Sequence, residues 1–245
     1  MAQQQRLVVA PEQLAADRLQ LTREQQHYLY RVLRLQPGDR FVATDGCGRS
    51  WQVQLEDFAA ARLVATAAAA RELAWDVMLL AALPKGSAFD GVVRCATELG
   101  VSTIVPVTSD RALLQPGANK LRRWCRIAQE AAEQAERAVV PTVGDPVPFD
   151  RALQVPDAGR ARYLAAARAG APPLLACLPP TKASAIAIAT GPEGGWSESE
   201  LEAATAAGFQ TVSLGDRILR AATAPIAAMA ITTAAADTAA GERNG

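Results

Sequence analysis

Two glycine-rich turns near the carboxyl end hold the residues best placed to do chemistry. The first is Gly191-Pro192-Glu193-Gly194-Gly195, and the second is Gly215-Asp216-Arg217-Ile218-Leu219-Arg220. The first turn matches neither phosphate-binding glycine motif: no Lys-Ser/Thr pair follows it, and proline removes one of the amides a phosphate cradle needs. Residue types alone leave two readings open for it, a ligand-binding loop and a structural strand-to-helix turn. Glu193 is an acid or base candidate, or a solvated turn residue. Arg217 and Arg220 place two guanidinium groups in the second turn. Lys85, in Leu83-Pro84-Lys85-Gly86, and Arg111, after Thr108-Ser109-Asp110, follow earlier strands and can reach the same edge. A second basic cluster, Arg23, Arg31, Arg34 and Arg40, is interleaved with Tyr28 and Tyr30, a mixture that suits RNA backbone and base contacts as well as a solvated helix face. Ser-His-Asp catalysis is disfavoured, because the single histidine, His27, lies in a different module from the turns.

The elements around the turns explain why they should meet. Ala185 to Ala189 alternates Ala and Ile over a strand's length and is bounded by Thr190 and Gly191. Ser197-Glu198-Ser199-Glu200 reads as a capping box opening a helix that ends at Gly208. Thr211 to Leu214 is a second strand, and Thr223 with Pro225 starts a long apolar helix. Two strands of one sheet would then deliver their turns to the same strand-end edge, where open α/β sheets bind ligands.

Upstream, residues 1–70 read as a small β-rich module. A helix over Arg23–Leu33 is capped by Thr22 and Gln25, and strands are expected at 40–44, 50–55 and 62–66. From Trp75, within a second domain over 71–245, strands alternate with helices. They are strand Asp76–Leu83, helix Ala88–Leu99, strand Val101–Val107, helix Lys120–Ala138, and strands at 139–143 and 163–166. Alternation of this kind predicts a parallel sheet covered by helices. The helix from Lys120 is basic at its start and acidic later, against its dipole, so its basic start is expected to have another task.

Composition narrows the function classes. Lys+Arg and Asp+Glu balance at 25 each, so only a local patch could draw a polyanion. Four cysteines without a CxxC pair argue against a zinc site and for reduced thiols in a cytoplasmic setting. No apolar run suits a membrane span or a signal peptide.

The two turns, taken with Trp196-Ser197 and Leu214, resemble the RsmE family, SPOUT-class methyltransferases acting on uridine N3 of 16S ribosomal RNA. Arg31-Val32-Leu33-Arg34 with Pro37-Gly38-Asp39, Leu83-Pro84-Lys85-Gly86, Ala96-Thr97-Glu98-Leu99-Gly100-Val101 and Glu130-Ala131-Ala132-Glu133-Gln134 are similar to its other signatures, in the same order. The resemblance implies an N-terminal PUA-like RNA-binding barrel and a C-terminal α/β domain tied in a trefoil knot. It also implies S-adenosylmethionine as cofactor, held by main-chain groups near Thr190, Gly191, Gly195, Leu214, Gly215 and Leu219. The partners it implies are 16S rRNA in the small ribosomal subunit and a second copy in a homodimer, with no metal and no membrane. Arg217 and Arg220 would stabilise charge on the uracil, and Arg23, Arg31, Arg34, Lys85 and Arg111 would contact the RNA. The chain departs from the family pattern at Ala221-Ala222-Thr223-Ala224, where threonine-glutamate-threonine-alanine is usual. It also carries Ala81 for glutamine, Ala88 and Phe89 for more polar residues, Asp110 for glutamate and Glu136 for glycine. Two other readings stay open: a catalytically weakened RNA-binding protein, and a nucleotide-dependent oxidoreductase on an ordinary Rossmann sheet. The second is disfavoured by the absence of GxGxxG after the first strand.

Overall fold

The structure is a computed structural model and describes residues 5–68, 72–108, 117–167, 170–180 and 184–241. Arg111 lies outside these described residues. The chain forms two compact units: Met1–Glu72 with Ala132–Val140, and Leu73–Ala131 with Pro141–Gly245.

The first unit is a curled six-stranded sheet. In chain order its elements are β1 (Arg6–Val8), β2 (Leu14–Ala15), β3 (Arg18–Gln20), α1 (Arg23–His27), β4 (Arg40–Thr44), β5 (Ser50–Leu55) and β6 (Ala60–Thr66). The strand order is β1-β4-β5-β6-β3-β2, antiparallel except for the parallel β1–β4 pair. Inward side chains of Leu7, Leu19, Leu21, Leu29, Phe41, Val53 and Leu55 fill it. The expected helix over 23–33 divides in two. Thr22 caps α1 through the Gln25 amide, with Gln25 reaching back, and the chain then widens into a π-turn over Tyr28–Val32. Arg34 follows in the left-handed region at φ +58°, which stops the helix without glycine.

Residues 132–140 return to this unit, which local sequence patterns do not disclose. The helix predicted to reach Ala138 stops at Gln134, and Glu136 adopts φ +58°, a conformation natural to glycine. Beyond it, Arg137 pairs with Glu72 at 2.9 Å, and the Glu72 carboxylate also accepts from the amides of Ala138 and Val139. Residues 139–141, expected as part of a strand, make only an isolated bridge from Val139 to Cys47 before Thr142. Burial pushes the Asp45 carboxyl up, but hydrogen bonds from Arg49 and from the Cys47 and Arg49 amides outweigh it and hold the group below its ordinary value.

The second unit is an all-parallel sheet with helices on its faces. Its elements are β7 (Asp76–Ala82), α2 (Ala88–Glu98), β8 (Thr103–Thr108), α3 (Ala118–Gln134), β9 (Thr142–Val143), β10 (Val147–Pro148), α4 (Phe149–Ala152), β11 (Ala161–Ala165), α5 (Leu174–Cys177), β12 (Ala185–Thr190), α6 (Glu198–Ala206), β13 (Gln210–Val212) and α7 (Thr223–Gly241). The order is β10-β8-β7-β12-β11-β13, with β9 beside β8. The Ala–Ile alternation of β12 sorts its two faces. Ala187 and Ala189 leave room for Phe149, Phe209 and Trp196 on one side, while Ile186 and Ile188 are fully buried and, by strand alternation, on the other. The basic start of α3 also finds an explanation: Arg123 and the Trp124 indole both bind the Asp90 carboxylate of α2, at 2.8 and 3.1 Å. No helix among the described residues is long and apolar enough to cross a membrane.

Candidate functional site

Three parallel strands, β12, β11 and β13, end on the same side of the sheet, and the turns after them enclose a cavity of about 520 Å³. Its walls are Ala165–Ala167 after β11, Gly191–Trp196 after β12, and Leu214, Gly215, Arg217, Ile218, Leu219 and Ala221 after β13. The volume falls in the range of small-molecule sites. Sequence patterning gave two of these walls. The third, at 165–167, follows from β11 lying between β12 and β13, a pairing set by long-range register. The expected strand at 163–166 was its one local signal.

The turn after β12 is held at several points. The indole nitrogen of Trp196 donates to the Ala165 carbonyl at 3.0 Å, and its ring lies against Phe149 with centroids 4.5 Å apart. The Gly191 backbone passes directly under this ring: a Cβ there would sit 3.0 Å from Trp196 Cε2. Gly195 turns the chain at φ +68° and donates to the Pro192 carbonyl at 2.9 Å. Ser197 then caps α6 as its sequence predicts, accepting from the Glu200 amide while Glu200 accepts from the Ser197 amide. The Glu193 carboxylate accepts from the Lys85 amide at 3.0 Å, which brings the turn after β7 to the cavity rim.

The turn after β13 is built differently. The Ser213 hydroxyl accepts from the Gly215 amide at 3.1 Å, and Gly215 adopts φ +116°. Arg217 folds back over it, with Nη2 at 4.0 Å from the place of a Gly215 Cβ. The Arg220 carbonyl accepts from the Thr223 and Ala224 amides, so its backbone opens α7. The side chains of Arg217, Ile218 and Arg220 are exposed, and neither arginine has an ion-pair partner among the described residues.

The structure therefore gathers Gly191, Gly195, Leu214, Gly215, Leu219 and Arg217 around one space. Thr190 is the last residue of β12, immediately before it. Its hydroxyl is buried and has no hydrogen-bond partner among the described residues. Arg220 sits beside the cavity without lining it, and Lys85 is joined to it through Glu193. Arg23, Arg31 and Arg34 are exposed in the other unit. Among the described residues no cluster of His, Cys, Asp and Glu could hold a metal.

An RNA methyltransferase domain model matches residues 71–233, and an RNA methyltransferase PUA domain model matches residues 21–58. The ribosomal RNA small subunit methyltransferase E of Synechocystis is 48% identical over 92% of this chain and 76% of its own length. The chain belongs to the RsmE family. A crystal structure of the Neisseria gonorrhoeae family member bound to S-adenosyl methionine matches with a TM-score of 0.86 at 30% identity, covering 95% of this chain and 98% of that one. A Legionella pneumophila structure in complex with the same cofactor also matches at 0.86, with 26% identity over 96% and 98% of the two chains. In this RsmE protein the parallel sheet is thus the trefoil-knotted SPOUT domain and the curled sheet is the PUA-like domain. Strand periodicity predicts an ordinary crossover sheet at this point, because a knot leaves no mark on local spacing and is rare. Trp196, which fixes the first RsmE turn, and the 165–167 wall are the site features that residue-by-residue reasoning did not assign.

Proposed function

We propose that the protein transfers a methyl group from S-adenosylmethionine to N3 of a uridine in the 16S rRNA of the small ribosomal subunit. The observation that carries this reading is the cavity closed by three strand-end turns, whose walls are largely backbone and small or apolar side chains. Such walls suit a flat adenine and a short aliphatic chain, and Gly191 lets the main chain approach where any side chain would meet the Trp196 ring. The orphaned Thr190 hydroxyl adds a hydrogen-bonding group at the cavity's edge. Main-chain groups of Thr190, Gly191, Gly195, Leu214, Gly215 and Leu219 hold the cofactor in this reading. S-adenosylmethionine supplies a methyl group made electrophilic by a sulfonium sulfur.

The protein's own residues have two tasks: aligning the nucleophilic nitrogen with the methyl, and stabilising negative charge on the uracil as N3 loses its proton. Arg217 and Arg220 serve the second, since unpaired guanidinium groups remain charged and offer several donors to carbonyl oxygens. The N3 proton passes to solvent. Glu193, the one carboxylate among the described cavity-lining residues, is already engaged by the Lys85 amide. Lys85, Arg111, Arg23, Arg31 and Arg34 contact the RNA. The active form is a homodimer with α7 at its interface, working in the cytoplasm.

One observation favours a second reading, an RNA-binding protein with weakened turnover. Ala222 stands where the family usually has glutamate, and the first turn of α7 carries no acidic residue. Small subunits from cells lacking this enzyme, incubated with the purified protein and S-adenosylmethionine, decide between the two. Nucleoside mass spectrometry should show N3-methyluridine. RNA binding without methylation would establish the weakened reading, and methylation at another atom would refute the N3 assignment.

A further inference from the structure

The arginines of the N-terminal unit fall into two groups. Arg6 faces Glu136, Arg18 and Arg62 share Glu56, Arg49 binds Asp45 and Arg137 binds Glu72. Arg23, Arg31, Arg34 and Arg40 are exposed and have no acidic partner among the described residues. All four unpaired arginines fall within residues 23–40, the stretch containing α1 and the π-turn.

That stretch also braces an aromatic ring left in water. Phe58, at the tip between β5 and β6, is 60% exposed. One face of its ring stacks on Tyr30, with centroids 4.3 Å apart and planes 20° from parallel. Tyr30 is buried, and its hydroxyl donates to the Asp57 carbonyl. Burial, and then the charge of Asp57, hold the phenol above its ordinary value, so it stays a donor at neutral pH. The Asp57 carboxylate in turn accepts from the Ala59 and Ala60 amides at 2.7 and 2.9 Å, and the Ala59 carbonyl accepts from Leu21 at 2.8 Å. Phe58 is therefore fixed by the chain on both sides of it and by one ring face. Val32, two residues after Tyr30, is 58% exposed.

A rigid exposed ring beside unpaired guanidinium groups suits a ligand with a flat face and a negative backbone. An unpaired nucleobase has both: its face stacks on the ring and its flanking phosphates meet the arginines. A second copy of this chain on a two-fold axis would bring the same unpaired charges toward each other. We propose that Phe58 is a stacking platform for an unpaired base of the RNA substrate, with Arg31 and Arg34 on the adjoining phosphates. This rests on the reading of the protein as an rRNA methyltransferase and adds the base-contacting residue of its N-terminal domain.

The test titrates full-length protein with a single-stranded oligouridylate carrying one 2-aminopurine, following both affinity and quenching of the probe. Phe58→Ala should weaken binding about five- to hundredfold and remove the quenching. Phe58→Tyr should retain both, whereas Phe58→Leu, still apolar but without a π-face, should behave like Phe58→Ala. Affinity for S-adenosylmethionine and the unfolding midpoint should match the parent protein in all three. Parent-like RNA affinity and quenching in Phe58→Ala overturn the proposal. If Arg31→Ala with Arg34→Ala weakens RNA binding while Phe58→Ala does not, the stacking role alone falls. If neither matters, RNA binding by this domain falls with it. Loss of an oligomer in Phe58→Ala on sedimentation, with RNA affinity intact, makes the ring a subunit contact and also overturns the proposal.

Discussion

The two glycine turns of the methyltransferase domain face one cavity but are held in opposite ways. The turn after β12 is pinned by the Trp196 indole, by the ring above Gly191, by the Glu193–Lys85 contact and by the α6 capping box. The turn after β13 is tied by its backbone, at Ser213 and at the start of α7, and leaves Arg217, Ile218 and Arg220 exposed. The difference teaches a division of work. A pre-shaped wall binds a ligand without an ordering cost at the moment of binding, so the first turn suits the cofactor. Unpaired side chains on the second turn are available to a substrate that arrives afterwards.

Substitutions that exchange these properties should separate cofactor affinity from turnover. The largest effect is expected from Arg217→Ala: turnover should fall roughly a hundred- to thousandfold, as for loss of a group aimed at developing charge. Its affinity for S-adenosylmethionine should change little. Equal losses in affinity and turnover, read by calorimetry and single-turnover methylation, would erase the distinction between the turns. Next is Gly191→Ala, which places a methyl group against a ring that cannot easily retreat. It should cost about 1–3 kcal/mol of overpacking and weaken S-adenosylmethionine by about tenfold or more, visible as a lower unfolding midpoint and a higher Kd. Removing the α6 cap with Ser197→Ala should lower stability by about 1 kcal/mol in denaturant titration, because two amides lose their partners. The smallest effect is expected from Glu193→Gln, which keeps an acceptor for the Lys85 amide. Turnover within about threefold of the parent, roughly 0.6 kcal/mol, supports a tethering role for Glu193. A far larger loss, relieved at high pH, would make it the proton acceptor.

Much of this site was legible because it is encoded by neighbours in sequence. The Ser197–Glu200 and Thr22–Gln25 caps, the β12 alternation, and the glycines at 195 and 215 each follow from local chemistry, and the structure shows the corresponding hydrogen bonds and dihedrals. What local patterns missed depends on residues far apart. The β11 wall, the grip of Trp196 on Ala165, the return of residues 132–140 and the knot are set by pairing order, which periodicity of 2 or 3.6 residues does not contain. The family signatures supplied the knot. They also marked Glu136 as unusual, and its left-handed backbone gives that departure a physical meaning.

The account's central claim is that S-adenosylmethionine lies between these two turns. Hydrogen–deuterium exchange with and without the cofactor tests it most directly. Added protection should be confined to 165–167, 191–196 and 214–221, with the first of the two glycine turns already slow to exchange in the free protein and the second gaining more. Saturation of the protein by cofactor with no change in those segments, or with protection elsewhere, would contradict it.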